Sequence, residues 1–76
     1  MVERSEKNSN PSGEMIRTLR KALELTQVEM AEIFGVSRRA IQRWEKGDDE
    51  PRLTLGQVRI FIQLMQKAGF NWEMLP

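Results

Sequence analysis

The feature that most constrains the fold of this chain is a short segment with two helix starts separated by a glycine. Thr26 stands three residues before Glu29, and this T-x-x-E spacing is a capping box, which starts a helix. Gly35 can adopt the left-handed backbone conformation that ends a helix at a tight turn. Ser37 then caps a second helix, about residues 37–46. The segment therefore predicts two short helices that meet at a steep angle across a turn.

Further helices are predicted on both sides of this pair. Ser12 caps a first helix from residue 13 to residue 23 or 25, Thr54 caps a fourth that ends at residue 68, and residues 71–75 form a last short turn. Since no strand pattern or internal repeat is present, we predict an all-α, compact five-helix domain. The side chains expected to face the core are Ile16, Leu19, Ala22, Leu23, Val28, Met30, Ala31, Phe34, Val36, Ala40, Ile41, Trp44, Leu55, Val58, Phe61, Ile62, Met65, Trp72 and Leu75.

The 76 residues allow one domain. Residues 1–12 are polar apart from Met1 and Val2, so we predict a flexible N-terminal arm there, followed by one folded domain over residues 13–76. Arg4 and Lys7 in the arm could reach a nucleic-acid groove. The neighbouring acids cancel their charge, so an idle tail is the preferred interpretation.

The composition excludes several classes of protein. The chain has no cysteine and no histidine, so disulfides, the common transition-metal sites and the usual general base near neutral pH are absent. We therefore expect no enzyme, no cofactor, no metal and no small-molecule substrate. No apolar stretch approaches the roughly 20 residues that span a bilayer, and the start of the chain lacks the layout of a secretion signal. A cytoplasmic, nucleoid-associated location in a prokaryote is expected, without a membrane partner.

The charge is unevenly distributed although its net value is only +1. Residues 37–46 carry four basic side chains and one acid, so a basic surface is expected on this helix. With Ala40, Ile41 and Trp44 facing inward, four polar side chains remain on the outer side. They are Arg38, Arg39, Gln42 and Arg43.

The stretch TQVEMAEIFGVSRRAIQRWEKG resembles the lambda-repressor/Cro-like (XRE) helix-turn-helix family. The matching residues are Thr26, Gln27, Ala31, Gly35, Val36, Ser37, Ile41, Trp44, Glu45, Gly47 and Pro51, and the tail GFNWEMLP resembles the fifth helix of such domains. The resemblance extends over about residues 15–75. It implies a sequence-specific, double-stranded DNA-binding transcriptional regulator, and a repressor in preference to an activator. It also implies a homodimer, at least on a two-fold symmetric operator.

The resemblance also assigns roles by position. The helix over residues 37–46 would enter the major groove, with Arg38, Arg39, Gln42 and Arg43 at base-reading positions. Phosphate contacts are expected from Gln27, Ser37, Lys46, Thr26 and Arg17. One departure from the family is the acidic run Asp48-Asp49-Glu50, where loops on the DNA side are often neutral or basic. This loop either points away from the duplex or weakens binding there.

The arginines suit this role chemically. A guanidinium group matches the O6 and N7 acceptors of guanine. Arg39 and Arg43 are four residues apart and share a helix face, so we favour them for bases, with Arg38 at the groove edge. A half-site that contains guanine is the corresponding hypothesis.

Several alternatives stay open. The outward arginines could be an ordinary solvated face, and Asp48-Asp49-Glu50 could suggest a metal, although a solvated loop is the preferred interpretation. The chain could be the antitoxin of a toxin–antitoxin pair, which would bind its own operator and a toxin protein. It could also be a protein-interaction domain without DNA binding, but three outward arginines argue against that function.

Overall fold

The computed structural model describes residues 11–71 and residue 73, and in this part of the chain all regular structure is helical. The elements are α1 (Gly13–Ala22), α2 (Gln27–Phe34), α3 (Arg38–Lys46) and α4 (Leu55–Ala68). The all-α prediction is confirmed, with four helices rather than five. The predicted fifth helix, residues 71–75, falls largely on residues 72, 74 and 75, which lie outside the described residues. At its predicted start, the Asn71 side chain accepts a hydrogen bond from the Glu73 amide (3.0 Å).

Each helix begins at the residue that its local sequence predicts. The hydroxyls of Ser12, Thr26, Ser37 and Thr54 accept a hydrogen bond from the amide three residues later, as N-caps do. In α2 the Glu29 carboxylate also accepts from the Thr26 amide (2.8 Å), which completes the predicted capping box. α1 ends at residue 22, earlier than predicted.

The turn between α2 and α3 depends on Gly35. Its φ of 72° and ψ of 33° lie in the left-handed region, which a residue with a Cβ rarely adopts. The chain then turns back so that the Val36 amide donates to the Ala31 carbonyl (3.0 Å). This closes the end of α2 and starts α3 after two further residues.

One hydrophobic core joins the four helices. α3 packs against α1 and α2, and α4 packs against the same two helices. At the junction of α2 and α4, Gln57 Nε2 donates to the Phe34 carbonyl (2.9 Å), so α4 also satisfies an acceptor at the end of α2. The buried core side chains are Ile16, Leu19, Met30, Ala31, Phe34, Ile41, Phe61 and Met65, with Leu23, Val36 and Trp44 packed at the edge.

Three of the predicted core positions are wrong. Val28 is 46% exposed and Leu55 is 79% exposed, while Ala22 also lies on the surface. Val28 and Leu55 both lie in the first turn of their helices, where the chain has just entered the element from the surface. Helical spacing alone did not separate them from their buried neighbours.

Two residues of the predicted N-terminal arm lie within the described part of the chain. Of the predicted arm, residues 1–12, only Pro11 and Ser12 are described. Pro11 is fully buried and Ser12 caps α1, so both pack with the domain. The arm stays a prediction for residues 1–10.

Candidate nucleic-acid interface

α3 is held to the body of the domain by one side and presents the other to solvent. Ile41 is completely buried, and Trp44 packs against the core one turn later. Because Arg38, Arg39 and Arg43 project from other sides of the helix, they are exposed. Of the four side chains predicted on the outer side of α3, the three arginines are exposed and Gln42 is half-buried.

Five of the nine predicted DNA-contacting residues line one shallow surface groove. Gln27 contributes the wall from the start of α2, and the others come from α3. Asp48 also lines this groove. The helix-turn-helix thus brings the N-terminus of α2 beside the outer face of α3. The predicted residues in the groove are Gln27, Arg39, Gln42, Arg43 and Lys46.

The other four predicted residues lie outside this groove. Arg17 lines a neighbouring depression, which reaches Lys46. Thr26, Ser37 and Arg38 are exposed at the helix starts. The hydroxyls of Thr26 and Ser37 already accept a backbone amide at 3.0 and 3.1 Å.

A nearly buried ion pair, which the sequence analysis missed, lies behind the groove. Helical periodicity puts Arg20 on the polar face of α1, but its side chain is only 13% exposed, and that of Glu45 is 5% exposed. Arg20 Nε donates to Glu45 Oε2 (2.7 Å) and Arg20 Nη2 donates to Glu45 Oε1 (2.9 Å). Arg20 Nη1 also donates to the Leu25 carbonyl (2.9 Å). One bidentate pair therefore joins α1, the α1–α2 turn and α3.

Gln27 links this ion pair to the surface. Its side-chain Nε2 donates a long hydrogen bond to Glu45 Oε1 (3.3 Å). Gln27 itself is half-buried. The predicted phosphate role of Gln27 is compatible with this contact, because the backbone amides of the first helical turn have no partner inside the helix. The network therefore fixes the start of α2 relative to α3.

The charge state of Glu45 follows from its surroundings. Burial raises the pKa of the carboxyl, but the hydrogen bonds from Arg20 and Gln27, together with the positive charges of Arg20 and Arg17, outweigh it. The pKa of Glu45 is consequently below its ordinary value. The carboxylate stays ionised where an isolated glutamate would begin to take up a proton.

This pKa shift predicts an acid-dependent loss of stability. A carboxyl whose pKa is lowered by folding stabilises the domain above its ordinary pKa, about 4.3, and that contribution is lost as pH falls through the lowered value. We expect the difference in unfolding free energy between wild type and Glu45→Gln to be largest near neutral pH and to shrink below it. Urea unfolding between about pH 7 and pH 3 measures this difference. A constant difference would contradict the assignment, and Glu50→Gln controls for the loss of one carboxylate.

The acidic run after α3 folds back against the predicted DNA-contacting residues. Arg43 Nε donates to Asp49 Oδ2 (2.7 Å), and Lys46 Nζ lies 3.9 Å from Asp48 Oδ2. The hydrogen bond from Arg43, reinforced by its charge, lowers the pKa of Asp49 below its ordinary value. The loop therefore lies beside Arg43 and Lys46, and its orientation relative to a duplex stays a prediction.

The described part of the chain offers neither a metal-binding cluster nor a membrane-spanning helix. Residues 11–71 and 73 contain no group of three side chains that could together hold a metal ion. Over the same residues, no helix has the length and apolar character needed to cross a membrane.

Comparison with known proteins assigns the chain to a family. A helix-turn-helix family profile matches residues 16–56, just over half of the chain, from the middle of α1 to the start of α4. The match does not include the tail whose sequence resembles a fifth helix. No solved structure matches the chain.

Three curated relatives are similar to this chain, over stretches of 35 to 59 residues. A Pyrococcus furiosus protein, provisionally named as an HTH-type transcriptional regulatory protein, is 42% identical over 59 residues, 78% of this chain and 16% of the relative. Repressor protein C2 of Salmonella phage P22 is 41% identical over 44 residues, 58% of this chain and 20% of the relative. Antitoxin PezA of Streptococcus pneumoniae is 49% identical over 35 residues, 46% of this chain and 22% of the relative.

The chain thus spans less than a quarter of the length of each of these relatives. The matched residues nevertheless include the whole of α2, the glycine turn and α3. Together with the all-helical structure, the match shows that this chain belongs to the helix-turn-helix family of the lambda-repressor/Cro-like (XRE) type.

Proposed function

We propose that this protein is a sequence-specific, double-stranded DNA-binding transcriptional regulator that inserts α3 into the major groove. The observation that carries the proposal is the exposed groove in which Gln27 of α2 meets Arg39, Gln42, Arg43 and Lys46 of α3. A major groove about 12 Å wide admits one helix. On the protein, the surface groove presents cationic and amide side chains along the outer face of α3.

Two kinds of contact are assigned. Arg38, Arg39, Gln42 and Arg43 lie on α3 and read base edges, because guanidinium and amide groups match the acceptors and donors of the major groove. The remaining predicted residues flank this set, and their role is to hold phosphates and so fix the orientation on the duplex. They are Gln27, Ser37, Lys46, Thr26 and Arg17.

The proposal extends to assembly and direction of control. One helix covers only a half-site, so we propose a homodimer, at least on DNA, at a two-fold symmetric operator. Repression is proposed because the phage relative is named a repressor. A cytoplasmic, nucleoid-associated location follows from DNA binding and is part of the same proposal.

An antitoxin is the second candidate, because one relative is named Antitoxin PezA. In that case the chain would bind its own operator and also a toxin protein. The similarity extends over 35 residues of this chain and does not favour this function over the first. Co-purification of a second polypeptide in stoichiometric amount would support the antitoxin function.

Phosphate contact by Lys46 makes a prediction about salt. Each phosphate contact contributes about −0.9 to the slope of log affinity against log salt concentration. We expect Lys46→Ala to weaken binding to mixed-sequence duplexes and to make that slope shallower by roughly one unit. Fluorescence anisotropy at several salt concentrations measures the slope.

The matched control is Lys67→Ala, which removes the same charge from the exposed last turn of α4. It is expected to leave the slope close to that of wild type. Equal effects of the two substitutions, or no measurable binding by wild type, would argue against the proposed interface.

A further inference from the structure

The backbone after α3 places Asp49 beside Arg43. Gly47, with φ 84° and ψ 10°, turns the chain back at the end of the helix. The amides of Asp48 and Asp49 then both donate to the Arg43 carbonyl, at 2.9 and 3.3 Å. The position of Asp49 is therefore set by the same residue that its side chain binds.

The contact uses one edge of the Arg43 guanidinium. Asp49 Oδ2 accepts from Nε (2.7 Å). Within residues 11–71 and 73, the terminal Nη1 and Nη2 groups of Arg43 donate no hydrogen bond, and the ion pair with Asp49 is made through Nε. These two amino groups form the end-on edge that can donate to O6 and N7 of guanine together. Asp49 thus holds Arg43 while leaving a base-reading edge available.

Holding Arg43 has two physical consequences. A free arginine loses much rotamer freedom when it is fixed on a base, and a side chain that is already restrained loses less. A guanidinium can also bind a phosphate instead of a base. If Arg43 took a phosphate, that phosphate would approach the Asp49 carboxylate, and the repulsion would disfavour this non-specific contact.

We infer that Asp49 is a specificity-determining residue, which positions Arg43 for guanine and disfavours its binding to phosphate. The inference rests on the proposed function and deepens it. Within the acidic run that departs from the family pattern, Asp49 then increases the ratio of specific to non-specific binding, although its charge lowers the attraction to DNA in general.

The test compares two duplexes that differ at one base pair. The first is the duplex that wild type selects from a random library, and the second replaces the guanine whose preference is lost in Arg43→Ala. The measured quantity is the dissociation constant of the second duplex divided by that of the first, at fixed salt. We expect Asp49→Ala to lower this ratio by about threefold or more, with tighter binding to the second duplex. Glu50→Gln, which removes a charge from the same exposed loop, is expected to keep the ratio.

A double-mutant cycle with Arg43 separates positioning from charge. In an Arg43→Ala background, Asp49→Ala is expected to leave the ratio unchanged, because the side chain that it positions is missing. Tighter binding of Asp49→Ala to both duplexes by the same factor would overturn the inference. It would show that the Asp49 carboxylate simply competes with DNA for Arg43. An equal fall of the ratio in both backgrounds would overturn it as well.

The outcomes for the proposed function are distinct. Absence of any sequence preference in wild type would refute the proposed function itself. A guanine preference that is lost in Arg43→Ala but retained in Asp49→Ala would overturn only the role of Asp49. Asp49 and Arg43 are each about half exposed, so these substitutions are expected to leave the domain folded.

Discussion

Glu45→Ala is expected to lower the free energy of unfolding by about 3 kcal/mol, because it leaves the nearly buried guanidinium of Arg20 without its partner. When one member of a buried pair is removed, the remaining charge has lost its partner and is still shielded from water, so it is uncompensated. A domain of this size has a total stability near the lower end of the usual range, about 5 kcal/mol. Urea unfolding followed by far-ultraviolet circular dichroism measures the loss.

The control for this prediction is the second ion pair of the same length. Arg43–Asp49 and Arg20–Glu45 both have a shortest distance of 2.7 Å, but the side chains of the former are 50% and 54% exposed. Exposed pairs contribute little because water screens them. Asp49→Ala is therefore expected to leave the unfolding midpoint nearly unchanged. A similar loss in both variants would show that burial of Glu45 is not the cause.

Gly13→Ala is expected to destabilise the domain by about 2–3 kcal/mol, in the range of overpacked cores. A Cβ at this first residue of α1 would lie 1.8 Å from the carbonyl oxygen of Trp44 and 2.6 Å from its carbonyl carbon. Both atoms are backbone, so no side-chain rotation relieves the overlap. The N-terminus of α1 must instead move away from the end of α3. Thermal unfolding gives the change directly.

Gly56→Ala is the matched control inside α4. The nearest atom to a Cβ there is the Thr54 hydroxyl at 3.8 Å, which is ordinary van der Waals contact. Because alanine favours a helix over glycine by up to about 1 kcal/mol, this substitution is expected to raise stability. Stabilisation of the domain by both glycine substitutions would contradict the close approach of α1 to α3.

These two contacts connect the scaffold to the proposed interface. Arg20–Glu45 and the Gly13–Trp44 approach both join α1 to α3, and Glu45 in turn accepts from Gln27 at the start of α2. The relative position of α2 and α3 is what brings the groove residues together. A variant such as Glu45→Gln is thus expected to weaken DNA binding although Glu45 itself is not a proposed contact.

The local features of the fold were predictable from the sequence. The caps Thr26 and Ser37 and the left-handed turn at Gly35 depend on chemistry within a few residues, and all three occur as predicted. The inner and outer faces of α3 follow from helical periodicity around Ile41. These local features are enough to indicate a helix-turn-helix from the sequence.

The contacts between distant residues were not predictable in this way. Arg20 and Glu45 are 25 positions apart, and Arg20 falls among exposed charges in the helical pattern of α1. Its role depends on the crossing of α1 over α3. The exposure of Val28 has the same origin, since the packing of neighbouring helices decides which residues of a broad apolar stripe are covered.

The central claim, that α3 reads base sequence, is tested most directly by selection from a random duplex library with wild type and Arg39→Ala. The account predicts a two-fold symmetric site with guanine in each half, and loss of that guanine preference in Arg39→Ala. Failure of wild type to enrich any sequence, or enrichment of the same site by both proteins, would contradict it.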